Sequence, residues 1–345
     1  MKKIIFASIE ENVGKTSIIL SLARTMGKKC AYLKPFGDRM RYRKKKLWDY
    51  DSELINKTLE LGLEPEHMTL GFEHAKLRYK YDEKSLQEKI NQMCLTFEKN
   101  NDVLFLEGAN TLSYGASVGM NSLRIAKITD SQLIIVLTGN TDKVQDDLTF
   151  IRHNIVESGV NFAGVIINKI NDIDEFQCES VTQYIKDLGI KVYGLLPNEK
   201  KLSTMSMRQI GDALTATTIT APNHLDNNIE NIYIGSMSLN EVFKKEYLQK
   251  DNKLMITSGD RSDIILAAIE SKSKGIVLTN NILPPPNIIS RAGECNIPIL
   301  LAGEDTYSVA NKIDKLDALM GVDDNEKFEL MDDLVKKHVN IGELL

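Results

Sequence analysis

Short apolar runs recur along the chain, with helically spaced stretches between them. Lys3 to Ser8 is an apolar run of strand length. From Thr16 to Gly27, apolar residues return at Ile18, Ile19, Leu22, Ala23 and Met26, with Gly27 as a natural stop. The same reading predicts strands at Cys30–Lys34 (closed by Pro35), Val103–Leu106, Gln132–Thr138, Phe162–Asn168 and Val192–Leu195. It predicts helices over 50–63, 83–100, 142–157 and 175–188. Strands alternating with helices at this spacing give an α/β fold: a mostly parallel sheet with helices on both faces.

Two stretches break the pattern. Arg39 to Lys46 is strongly basic, has no apolar period and reads as a loop. Thr217 to Asn231 is rich in Thr, Asn, Pro and Asp, and the domain boundary is expected there, near Pro222. The expected division is 1–222 and 229–345, the second a smaller α/β domain. In it, strands are predicted at Ile232–Ile234, Lys253–Thr257, Gly275–Thr279 and Ile297–Leu301. A helix is expected after Gly235 to Ser238, another over Asp263–Ser271 and another after Asp305. Pro284 to Pro286 reads as a plain turn. A charged helix from Asp323 to His338 carries Phe328, Leu330, Met331, Leu334 and Val335 on one face, which fits either its own domain or a second subunit.

Composition narrows the function classes. The chain has 345 residues, 42% of them hydrophobic, which is enough for two cores. A net charge of −5 gives no general pull toward nucleic acid or an anionic membrane. No window approaches ~18 uninterrupted apolar residues, and polar Ser8, Glu10, Glu11 and Asn12 cut short any signal-peptide core. A cytoplasmic protein is expected. The four cysteines form no CxxC pair and the five histidines are scattered, so neither a disulfide framework nor a zinc site is expected.

The chemistry concentrates near the start. Ser8 to Thr16 lies between a strand and a helix and ends in Gly14, Lys15 and Thr16, the context of a P-loop. Backbone N–H groups of Asn12, Val13, Gly14, Lys15, Thr16 and Ser17 are candidates to hold phosphate oxygens at the helix start. Lys15 suits the β/γ-phosphates, and the Thr16 hydroxyl suits Mg²⁺. Position 9, where GxxxxGK[ST] requires glycine, is Ile9, so a bare helix start is the alternative. Lys34 and Glu107 end predicted strands, where ligands of such sheets bind. Lys34 can reach phosphates or an anionic reactant, and Glu107 can hold Mg²⁺ or cap a helix. Asp49 and Asp51 are either metal carboxylates or ordinary helix-start acids. Asn168 ends a strand with an amide suited to an adenine edge. The basic stretch admits a cationic lid or a solvated loop, and Lys44, Lys45 and Lys46 would carry the lid. Asp260 and Arg261 open a helix, as an anion site or as a cap with an ion pair.

The segments Glu10–Thr16, Tyr32–Pro35, Leu106–Gly108 and Gly164–Asn168 resemble the dethiobiotin synthetase-like P-loop domain, most of all the version at the N-terminus of long phosphotransacetylases. Gly115 to Ala126 resembles that subgroup. Ile234–Ser238, Ile256–Arg261, Ala267–Ala268, Ile276–Thr279 and Asp305–Tyr307 resemble the DRTGG domain, which follows it in that family. The resemblance implies phosphate and Mg²⁺ binding by Gly14, Lys15 and Thr16, Lys34 beside the γ-phosphate, Asp51 and Glu107 as Mg²⁺ ligands, and Asn168 at adenine. It also implies a dimer. The acetyltransferase domain is not within these 345 residues, so no phosphotransacetylase activity is expected of this chain by itself. Glu11 replaces the synthetase's threonine and would repel a carbamate, so dethiobiotin synthesis is not expected either. Three readings follow: an ATP- and Mg²⁺-binding regulator or adaptor, an ATP-dependent ligase with an anionic acceptor, or an assembly partner with a vestigial loop.

Overall fold

The computed structural model describes residues 1–43, 45–235, 250–316 and 318–344. The chain forms two compact units, Met1–Glu199 with Met320–Leu345, and Lys200–Leu319.

The first unit holds strands β1 (Lys2–Ser8), β2 (Cys30–Leu33), β3 (Met40–Arg43), β4 (Lys46–Asp49), β5 (Val103–Glu107), β6 (Gln132–Thr138), β7 (Phe162–Ile170) and β8 (Val192–Pro197). Six form one sheet in the order β2-β5-β1-β6-β7-β8, and every pairing is parallel. Its inner strands are almost wholly buried, as a parallel sheet covered on both faces requires. The site follows from register. Leu33 pairs with Leu106, so the next residues, Lys34 and Glu107, leave the sheet side by side. Phe6 also pairs with Glu107, which puts the loop after β1 beside them.

The second unit holds β9 (Met205–Ser206), β10 (Thr217–Thr220), β11 (Asn228–Ile229), β12 (Asn231–Ile234), β13 (Lys253–Ser258), β14 (Gly275–Thr279) and β15 (Ile299–Leu301). Its five-stranded sheet runs β10-β15-β14-β13-β12, parallel except for β10 on the edge. Among the described residues, no helix is long and apolar enough to cross a membrane.

Three expectations need correction. The basic stretch is not a loop: Met40–Arg43 and Lys46–Asp49 pair as an antiparallel hairpin. Met40–Arg43 alternates apolar and basic, the period of a strand, beneath the high charge. The segment near Pro222 is not the boundary either. β-branched Thr217–Thr220 pairs with β15, and the preceding helix Met207–Ala213 packs into the second unit's core. The compact units thus divide at Glu199/Lys200, not at 222/229.

The largest difference concerns the C-terminal helix, assigned to the second domain by sequence. Helix Asn325–His338 belongs to the first unit, against helix α1 (Lys15–Thr25). Arg24 pairs with Asp332 at 2.9 Å and lies over the Phe328 ring at 5.4 Å. Ser21 donates to the Met331 carbonyl at 3.1 Å. Buried Phe328, Met331 and Val335 each contribute roughly 1.5–3 kcal/mol. A further helix, Pro286–Glu294, was not predicted; Pro286 is its first residue, where a missing N–H costs nothing. The segment Ser236–Ser238 and the helix expected after it lie outside the described residues.

Candidate functional site

The loop after β1 turns into α1 through two left-handed residues, Asn12 (φ 58°) and Gly14 (φ 92°). A Cβ on Gly14 would come within 2.6 Å of Asn168 Nδ2, so glycine is needed both for conformation and for space. Asn168, at the carboxyl end of β7, donates through that nitrogen to the Val13 carbonyl at 2.8 Å. Lys169 donates to the Asn12 carbonyl at 2.6 Å. The end of β7 therefore holds the loop in shape. Ile9, in place of the first glycine, packs against the apolar core at the end of β1. The altered position is spent on burial.

Lys15 folds back under the loop. Its Nζ donates to Ser8 Oγ at 2.8 Å and to the Asn110 carbonyl at 3.1 Å. Burial pushes its pKa down. An ammonium held by two neutral acceptors in a buried place is poorly compensated, and an anion in the loop would compensate it better. Thr16 donates to Glu107 Oε1 at 2.8 Å, and buried Tyr32 donates to Glu107 Oε2 at 2.9 Å. Ser17 follows in the first turn of α1.

Lys34 is 1% exposed and faces four carboxylates: Asp51 at 2.5 Å, Asp38 at 2.6 Å, Asp49 at 3.5 Å and Glu107 at 3.9 Å. Those acids hold its pKa well above the usual lysine range against the opposing effect of burial. Burial raises the Asp49 carboxyl to about 6 and the Glu107 carboxyl to about 7. Asp51 stays below the ordinary range despite its burial, because Lys34 and Arg39 stand against it. Asp49 caps helix α2 (Tyr50–Thr58), accepting from the N–H groups of Asp51 and Ser52 at 3.1 and 3.2 Å. Its other oxygen accepts from Asp38 and Arg39 N–H at 3.1 and 3.3 Å. Asp49 thus clamps the root of the hairpin onto α2.

The structure gathers Lys15, Thr16, Lys34, Asp51 and Glu107 around the carboxyl ends of β1, β2 and β5, with Asn12, Val13, Gly14 and Asn168 above them. Sequence reasoning missed Asp38, which carried no signal apart from its closeness to Lys34, and Tyr32, which reads as an ordinary core aromatic; Arg39 entered it only as the first residue of the basic stretch. The hydroxyl and carboxylate oxygens of Thr16, Asp51 and Glu107 are hard donors of the kind Mg²⁺ prefers. Carboxylates of Asp38, Asp49 and Asp51 also lie within 4.8 Å of one another.

The family described as an AAA domain matches residues 2–206, more than half of the chain. This chain belongs to that AAA-domain family. A DRTGG domain matches residues 209–316. Phosphate acetyltransferase of Pseudomonas putida is 24% identical over 369 residues, covering 99% of this chain and 51% of that protein. The Pseudomonas aeruginosa phosphate acetyltransferase is also 24% identical, covering 95% of this chain and 49% of that protein. The chain spans about half the length of these curated relatives. A Borrelia burgdorferi plasmid partition protein bound to AMPPNP aligns with TM-score 0.35 and 15% identity, covering 58% of this chain and 88% of that one. The CBS and DRTGG domains of a Clostridium perfringens pyrophosphatase, complexed with diadenosine tetraphosphate, align with TM-score 0.29 and 13% identity, covering 46% and 83%. The AAA-domain chain thus joins a P-loop unit to a DRTGG unit, as the sequence resemblance anticipated.

Proposed function

We propose that this AAA-domain chain binds Mg-ATP in its first unit and acts as a regulator or adaptor, with the DRTGG unit sensing a second ligand or a partner. The observation that carries the reading is the convergence of Lys15, Thr16 and Glu107 beneath the loop at Gly14. Lys15 would exchange Ser8 and the Asn110 carbonyl for β/γ-phosphate oxygens. Thr16, Asp51 and Glu107 would hold Mg²⁺, which supplies charge neutralisation at the phosphates. Asn168, its Nδ2 committed to Val13, would offer Oδ1 to the adenine amino group.

The regulatory reading stands ahead of a ligase because of charge. Lys34 is already matched by four carboxylates. Such a ring suits a divalent cation and opposes a free anionic acceptor. Calorimetric titration of the full chain with Mg-ATP tests binding, and ADP release in the same preparation tests turnover. Saturable binding that Lys15→Ala abolishes, with negligible ADP release, supports the reading. Steady turnover would turn it toward a ligase, and no binding would remove it.

A further inference from the structure

Of the described basic residues in the hairpin region, Arg39 has a contact that spans the site. Its Nη2 donates to Asn12 Oδ1 in the phosphate loop. Its Nη1 lies 3.5 Å from both oxygens of Asp51. Lys34 reaches one of those same oxygens, Oδ2, at 2.5 Å. Two cationic groups that share one carboxylate oxygen are close enough for a single phosphate to bridge them. Asn12 is on the loop side of the cleft, and Asp51 is on the α2 side.

Two other bases of the stretch have partners away from the phosphate loop. Arg41 lies over the Tyr50 ring at 5.3 Å. Lys46 pairs with Glu64. The hairpin turn at Lys45 is six residues beyond Arg39, and the four residues of β3 between them span roughly 13 Å at strand rise. Lys44 lies outside the described residues. The hydrogen bond to Asn12 Oδ1 in the phosphate loop comes from Arg39, at the root of the hairpin. The clamp from Asp49 to the Asp38 and Arg39 N–H groups fixes that root in place.

We propose that Arg39 is the residue by which this chain tells a nucleoside triphosphate from a diphosphate. The inference rests on the nucleotide-binding reading above and names what reads the γ-phosphate. The guanidinium rests on Asn12 and Asp51. With a triphosphate in the loop it turns to the γ-phosphate oxygens, which its planar fork matches in pairs. Leaving Asp51 frees its Oδ1 for the accompanying cation while Lys34 keeps Oδ2, so the exchange conserves charge pairing. A diphosphate offers no γ-oxygens, and Arg39 stays parked.

The test is calorimetry on the full chain with Mg²⁺ and either AMPPNP or ADP, for wild type, Arg39→Ala, Arg39→Lys and Lys15→Ala. The expected result is a loss of roughly tenfold or more in AMPPNP affinity for Arg39→Ala, the worth of a charge-assisted hydrogen bond. ADP affinity should stay within about twofold. Arg39→Lys should recover only part of the loss, because a point charge does not reproduce the fork. Lys15→Ala should lose both nucleotides. Equal weakening of both nucleotides by Arg39→Ala, or of neither, overturns the proposal while leaving nucleotide binding intact. A wild-type chain that binds neither nucleotide overturns the underlying reading, and this proposal with it.

Discussion

The two sheets of this chain share a plan and differ in what they bury at their carboxyl ends. Both are built on parallel strands. The first ends in Lys34 and Glu107, with Lys15, Asp49 and Asp51 buried beside them. Near its carboxyl ends the second places Thr257 and Thr279, buried but neutral, and its one buried charge among the described residues, Lys253, opens a strand instead. Thr279 shares its hydroxyl with Thr306 at 2.9 Å, a local and complete arrangement. Burying charge is costly unless it is paired. The first sheet carries that cost where ligands of parallel sheets bind, and the second does not. The same architecture therefore supports two kinds of unit, one built around ionised groups and one around hydroxyls.

Removing the central charge should break the contrast most severely. Lys34→Met leaves four carboxylates without their shared cation and is expected to cost about 3–5 kcal/mol in urea unfolding. A loss under about 1 kcal/mol would mean that the ring is solvated, and the contrast would fail. Next in size, Lys15→Ala should lower Mg-ATP affinity by at least about 100-fold, or about 2.7 kcal/mol, with an almost unchanged thermal midpoint. A large fall in the midpoint would make Lys15 structural.

Acidity sharpens the comparison further. Asp49 and Glu107 hold protons up to about 6 and about 7 in the native state, whereas unfolded carboxyls release theirs near ~4. The native state therefore binds more protons across that window, and stability falls as pH rises from about 5 to about 7. Asp51, lowered rather than raised, adds no slope there. Urea midpoints at several pH values should show the fall, and millimolar Mg²⁺ should reduce it. A rising midpoint would contradict the placement of these acids. The smallest effect is expected in the second sheet. Thr279→Val should cost about 1 kcal/mol and leave nucleotide affinity unchanged.

The sequence was most informative where local pattern and chemistry coincide. Lys15, Thr16, Lys34 and Glu107 each stand at a strand end or helix start that apolar runs already marked, and the structure brings them together. Burial of charge was not legible in the same way. Asp38 and Asp49 look like ordinary loop and cap acids until register and the α2 clamp draw them to Lys34. The hairpin was hidden because its charge suggested solvent, although Met40, Arg41, Tyr42 and Arg43 alternate as a strand should. The partner of the C-terminal helix was undecidable from sequence, since an amphipathic face does not name what it packs against. Only tertiary contact with α1 shows it.

That last contact bears on how the protein is made. Arg24 and Asp332 lie 308 residues apart in the chain, with the whole second unit synthesised between them. During translation the second unit, contiguous from Lys200 to Leu319, is complete before the helix that covers α1 has been made. The P-loop unit starts first and finishes last. A long closure of this kind is slow. A nascent chain paused near residue 319 would hold a finished DRTGG unit and a phosphate-loop helix still missing its cover.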